Sequence, residues 1–199
     1  MAKIKYILSD LRYIFQSKEK KASLKHKKLT AKEKERVLNK VKEYLRVFKP
    51  YIIGVSFLDI GSGGFQTILQ FIDGKRKVAV DPVIQYIPYN LNKNIEFKSS
   101  YAENLTFKSG SFDGVFITNA LDHFGNPELA LQETKRVLKK SGRVFIMVNV
   151  FEKSFGRDKL HPYTFTKGQV YDLLSKYFKP IKVLSCADTN TFYFIGKQK

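Results

Sequence analysis

The chain has 199 residues, 43% of them hydrophobic, which is enough to bury one sizeable core, and it carries a formal charge of +18. No run of about 18 apolar residues occurs, which argues against a membrane-spanning helix. The opening Met1–Asp10 also has too short an apolar stretch for a secretory signal. The single cysteine, Cys186, excludes an intramolecular disulfide and a multi-cysteine zinc site. It falls in a late apolar stretch and reads as a core residue. The expected location is the cytoplasm.

Charge is unevenly spread. Residues 1–50 hold 16 Lys and Arg against 5 acids, a surplus of +11, and the remaining residues carry only +7. The densest part, Lys18 to Lys28, has few apolar residues and reads as a linker or solvated helix. Such a surplus can attract nucleic acid or acidic surfaces non-specifically, or serve only as a solubilising face. No aromatic residues interleave with the run, so a stacking platform for single strands is not indicated. Ile4, Ile7, Leu8, Leu11 and Phe15 make a short helical stripe. Thr30 and Glu33 then have the spacing of a capping box, and Val37, Leu38, Val41, Tyr44, Leu45 and Phe48 form one apolar face of a second helix. Pro50 marks its end. Residues 1–50 are therefore expected to be a basic helical extension, with one domain over 51–199.

Val55 to Ile60 reads as a short buried strand, being apolar, β-branched and too short for a helix. It stops in Asp59-Ile60-Gly61-Ser62-Gly63-Gly64, and Gln66 to Ile72 continues with helical character. Strand, glycine loop and helix together suit a ligand site. A dinucleotide fingerprint would need a third glycine at position 66, which is Gln66, and no Gly-Lys-Ser/Thr phosphate loop occurs. An acid before the first glycine can accept a hydrogen bond from an ammonium group. The loop thus suits a ligand that joins an amino acid to a nucleoside, or else it is a tight turn that binds nothing. Here the chain resembles the class I S-adenosylmethionine-dependent methyltransferases, whose first motif has the form Asp-x-Gly-x-Gly.

Lys77 to Asp81 is a second strand ending in an acid at the carboxyl edge, where a carboxylate can accept both ribose hydroxyls; the lesser reading of Asp81 is a capping or turn residue before Pro82. Ile95 to Ser99 is a third strand. Tyr101-Ala102-Glu103-Asn104-Leu105-Thr106-Phe107, followed by Ser111-Phe112-Asp113 and a fourth strand, is similar to the broad small-substrate branch of the family, the one that includes ubiquinone and menaquinone biosynthesis. The resemblance implies S-adenosylmethionine as cofactor, held by Asp59, Gly61, Ser62, Gly63, Asp81, Pro82, Ala102, Glu103 and Asn119. Two positions depart from the family pattern. Tyr101 stands in place of the acid that accepts the adenine amino group, and Phe65 stands where many relatives have a glycine.

The fourth strand runs into Thr118-Asn119-Ala120-Leu121-Asp122-His123. The Asn/Asp-Pro-Pro-aromatic motif of exocyclic-amine methylation is missing, and so is a catalytic cysteine for cytosine. His123 stands where the resembled branch commonly has histidine and is the candidate base, since imidazole can take a proton near neutral pH; orienting the loop is its other reading. Glu128 to Lys140 reads as a helix capped at Asn126-Pro127. Its Leu131-x-Glu133-x-x-Arg136-Val137-Leu138-Lys139 run matches a scaffold phrase of the family. Arg143 to Val150 is a fifth strand. In the polar loop that follows, His161 and Tyr163 are substrate candidates by the resemblance, or loop-structuring residues, and Thr166 caps the next helix. Ile181–Ser185 and Thr191–Ile195 read as final hairpin strands. The expected fold is α/β: a Rossmann-like, doubly wound, seven-stranded mixed sheet. The expected activity is methyl transfer to a small molecule, without a metal. The alternatives are an RNA-directed enzyme using residues 1–50 and a non-catalytic protein that binds the cofactor.

Overall fold

The computed structural model describes residues 30–63, 66–84, 92–153 and 162–199. The first stripe, the Lys18–Lys28 run, Phe65 and His161 lie outside them. Helix α1 spans Ala31–Phe48 and starts on the expected capping box. Thr30 Oγ1 accepts from Glu33 N at 3.3 Å, and Thr30 N donates to Glu33 Oε2 at 2.8 Å. Two orphan donors are thereby satisfied at the helix start.

The strands are β1 (Ser56–Ile60), β2 (Arg76–Val80), β3 (Glu96–Lys98), β4 (Phe112–Thr118), β5 (Leu138–Asn149), β6 (Phe178–Cys186) and β7 (Thr191–Gln198). They form one seven-stranded sheet in the order β3-β2-β1-β4-β5-β7-β6. Neighbours from β3 to β5 run parallel, whereas β7 lies antiparallel between β5 and β6. Helices α2 (Pro127–Val137) and α3 (Lys167–Tyr177) cover one face, burying Leu131, Val137, Val170 and Leu174 against Leu58, Val78, Val115 and Val144. Helix α1 covers the other face. Phe48 is fully buried there, with its ring 6.2 Å from Phe116, 5.5 Å from Phe145 and 5.8 Å from Tyr193. The α1 stripe is therefore part of the sheet's second core layer, alongside Phe57, Ile68 and Leu69.

Three expectations change. The helical segment at Gln66–Ile72 is a single 3-10 turn, Ile68–Phe71, after which Ile72 is extended. Asp59 Oδ2 accepts Thr67 Oγ1 and Ile68 N, and Thr67 Oγ1 accepts Leu69 N, so these contacts hold the chain in a short turn. Helix α2 stops at Val137 rather than Lys140, and β5 begins directly at Leu138. Gln198 Nε2 donates to the carbonyls of Lys135 and Leu138, taking up acceptors at the helix end, and Lys139 is drawn to Asp113 at 2.7 Å. Cys186 is exposed rather than in the core, because β6 is the sheet edge and only Phe178 on it is buried.

Candidate active site

Open α/β sheets bind ligands beyond the carboxyl ends of their strands, and the described sequence-derived candidates lie at or after the ends of β1 to β5. Residues 61–63 leave β1 and fold across the end of β2. Gly61 N and Ser62 N both donate to Val80 O, at 2.9 and 3.1 Å, and Gly63 N donates to Asp81 Oδ2 at 3.0 Å. Gly61 sits at φ 72° and Gly63 at φ 57°, in the left-handed region that a side chain disfavours. A Cβ on Gly61 would also lie 2.5 Å from Ala120 Cβ, so the first glycine permits the loop after β4 to close against the loop after β1.

The loop N–H groups are thus spent on the end of β2 and on Asp81 after it, whereas a phosphate-binding cradle would aim them outward. The carbonyls of Gly61 and Gly63 accept no hydrogen bond among the described residues. An acceptor-rich turn suits a ligand with a cationic amino group better than an anionic one. Asp81 is nearly fully buried, with Oδ1 taking Val83 N at 3.0 Å, so its carboxylate is fixed in orientation beside the glycine turn. Pro82 follows it, and its carbonyl accepts Ser99 Oγ at 3.2 Å.

Asp59 is wholly buried beneath this turn. Its Oδ2 accepts Thr67 Oγ1 at 2.6 Å and Ile68 N at 3.3 Å, and Oδ1 has no hydrogen-bond partner among the described residues. Burial pushes its carboxyl up to about 7 against the two hydrogen bonds, with nearby Asp81 adding repulsion. The acid expected to meet an ammonium group directly is therefore covered, and it ties the glycine turn to the turn at Ile68. Thr67, its partner, carried no signal in the sequence.

Ala102 is buried and Tyr101 is 40% exposed, on a segment without regular structure. Glu103 Oε1 accepts Asn126 N at 3.0 Å, just where Asn126 caps α2. That loop is clamped by α2: Glu133 Oε2 accepts Leu105 N at 2.9 Å, and Arg136 donates to Leu105 O at 2.7 Å and Phe107 O at 2.6 Å. Two phrases far apart in sequence prove to be one unit, which spacing alone could not reveal.

Asn119 follows β4 at φ 55°, with its N–H on Met147 O at 2.8 Å. His123 is half-buried in the 3-10 turn Leu121–His123, its N–H on Ala120 O at 3.0 Å. Tyr163 donates its hydroxyl to Gly125 O at 3.0 Å and its N–H to Asp122 O at 3.4 Å, so it pins the segment before α3 to the loop after β4. Asn149, at the end of β5, joins this edge although the sequence did not single it out: its Nδ2 donates to Asn119 Oδ1 at 3.1 Å. Among the described residues, no three His, Cys, Asp or Glu side chains could hold a metal.

Comparison with known proteins matches residues 58–146 to the family model described as a methyltransferase domain. An uncharacterized methyltransferase of Bacillus subtilis, YcgJ, is 32% identical over 101 residues, covering 46% of this chain and 39% of that protein. A ubiquinone/menaquinone biosynthesis C-methyltransferase, UbiE of Hahella chejuensis, is 36% identical over 63 residues, covering 32% of this chain and 25% of that protein. The chain thus spans well under half the length of these curated relatives. The structure of the 1,6-didemethyltoxoflavin-N1-methyltransferase of Burkholderia thailandensis, with bound 1,6-didemethyltoxoflavin and S-adenosylhomocysteine, superposes with a TM-score of 0.62 at 17% identity, covering 82% of this chain and 78% of that one. The cofactor of this fold and family is S-adenosylmethionine. The unbonded glycine-turn carbonyls and the fixed Asp81 carboxylate suit its amino and ribose groups. Residues 58–146 thus match a methyltransferase domain, and the seven-stranded sheet they belong to is the fold of the class I S-adenosylmethionine-dependent methyltransferases.

Proposed function

We propose that the chain transfers a methyl group from S-adenosylmethionine to a small-molecule acceptor. The observation that carries the reading is the corner where Gly63 N meets Asp81 Oδ2 at 3.0 Å, which fixes a carboxylate beside a glycine turn at the carboxyl edge. In this reading Gly61, Ser62, Gly63, Asp81, Pro82, Ala102 and Asn119 hold the cofactor. Asp59 and Glu103 support them from the turn at Ile68 and the cap of α2. The bound cofactor supplies an electrophilic methyl on sulfur. The protein's part is to hold the acceptor atom in line with that methyl and to keep water out. His123 takes the acceptor's proton where it has one to lose. His161 and Tyr163 remain the substrate candidates of this reading, with Tyr163 acting through its bond to Gly125.

Support for a small acceptor comes from the relatives, one named for quinone biosynthesis and one solved with 1,6-didemethyltoxoflavin. It also comes from the lack of the motifs that hold a flipped base. A second reading, RNA as substrate, rests on the +11 surplus of residues 1–50 and on the exposed Lys32, Arg36 and Lys40 of α1. The cytoplasm is the compartment that this reading expects. Calorimetric titration with S-adenosylhomocysteine tests it. Binding by the native chain should weaken at least tenfold, about 1.4 kcal/mol, in Asp81→Ala. No heat at millimolar ligand with folded protein would sink the proposal.

A further inference from the structure

Two sequence patterns lead into helix α1. At helical spacing, Ile4, Ile7, Leu8, Leu11, Ile14 and Phe15 fall within one sector of about 120°. Lys5 and Arg12 border that sector on one side and Lys3 on the other. Basic side chains at such borders can lay their stems along an apolar surface while their charges reach water or phosphate. Lys18–Lys28 follows, with six lysines against one acid, Glu19. The basic tract then continues on described structure. Lys32, Arg36 and Lys40 stand four residues apart on the exposed side of α1 and form no ion pair among the described residues.

We infer that residues 3–28, together with the exposed side of α1, dock on a bilayer surface that carries anionic headgroups. A partner must accept both an apolar stripe and a long basic tract. RNA offers phosphates but no surface for six apolar side chains, and no aromatic residues interleave with the lysines to stack on bases. The chain's own domain is no better a host. The sheet side of α1 is already filled, with Val41 and Phe48 buried. On β6, exposed Ile181 and Leu184 stand beside exposed Lys179 and Lys182, which repel a basic segment. A bilayer interface takes the stripe at its acyl boundary and the lysines at its headgroups. The two signals together hold where either alone is marginal. Docking of this kind spans no membrane, and it does not depend on which acceptor the domain methylates.

The test sediments the full chain at physiological salt with vesicles of phosphatidylcholine alone or with about one-third phosphatidylserine. The anionic vesicles should bind at least tenfold more tightly than the neutral ones. Leu8→Gln with Leu11→Gln leaves the charge unchanged. It should weaken binding to the anionic vesicles at least tenfold, while affinity for polyuridine at low salt shifts less than twofold. Arg36→Gln with Lys40→Gln, on the exposed side of a described helix, should weaken vesicle binding at least fivefold. Melting temperatures verify that both variants fold, and if one fails to fold the other decides. Equal binding of neutral and anionic vesicles would overturn the inference. So would vesicle binding that either variant leaves unchanged; for the leucine variant, charge alone would then account for it and RNA would fit as well. Vesicle binding is read without the cofactor, so its failure is separate from a failure of the methyl-transfer reading.

Discussion

Asp59 combines full burial with an oxygen unpaired among the described residues, and its carboxyl is pushed up to about 7 by desolvation. In the unfolded chain it would titrate near the ordinary aspartate value of about 4. The folded protein therefore retains a proton that the unfolded chain has already released. The unfolded state binds fewer protons across that window, so stability falls as pH rises from about 4 to about 7 and levels off above it. A gap of about three pH units corresponds to roughly 4 kcal/mol. Asparagine can still accept from Thr67 and Ile68 but cannot ionise. The stability gain of Asp59→Asn over the native chain, measured by urea unfolding, should grow as pH is raised from about 4 to about 7. A constant difference would show that Asp59 is not the titrating group.

The clamp of α2 on the 101–107 loop is the clearest case of one element supporting another. Arg136 donates to two loop carbonyls and to Glu133, whose own carboxyl is held low chiefly by Arg136, with Leu105 N adding to it. Replacing Arg136 by methionine keeps the aliphatic stem but strands both carbonyls, at a cost of about 1–3 kcal/mol. Glu133→Gln still offers an acceptor to Leu105 N and should cost less. Chemical denaturation of the two variants checks the order, and equal stabilities would refute the clamp. The same phrases explain what the sequence made legible. Apolar strands, capping boxes and the glycine turn are local patterns, and they located β1, β2, β4, α1 and α3 to within a few residues. Glu133 and Arg136 were legible only as a scaffold phrase, because their partners lie about 30 positions away. The turn at Ile68 was missed because contacts of Thr67 and Ile68 with Asp59, rather than helical propensity, set its form. Cys186 was misplaced because an apolar run does not reveal which strand ends up at the sheet edge.

At the scale of the whole molecule, a charge of +18 acts at long range, whereas cofactor recognition is local. Exposed Lys32, Arg36 and Lys40 on α1 follow directly after the most basic part of the chain. Polyanions should therefore bind whether or not they are substrates, which makes binding alone a poor guide to function. The difference lies in salt dependence. If the chain neutralises six or more phosphates, its affinity for polyuridine should fall about 10³-fold or more between 50 and 200 mM salt. S-Adenosylhomocysteine carries no large net charge and meets groups fixed by the fold, so its affinity should change less than twofold over the same range. Fluorescence anisotropy for the polymer and calorimetry for the small ligand give both slopes on one preparation. For a small-molecule enzyme, the polymer should be displaced near physiological salt and should acquire no labelled methyl. Labelled RNA formed at that salt, with polymer affinity that survives it, would transfer the substrate assignment from small molecules to RNA.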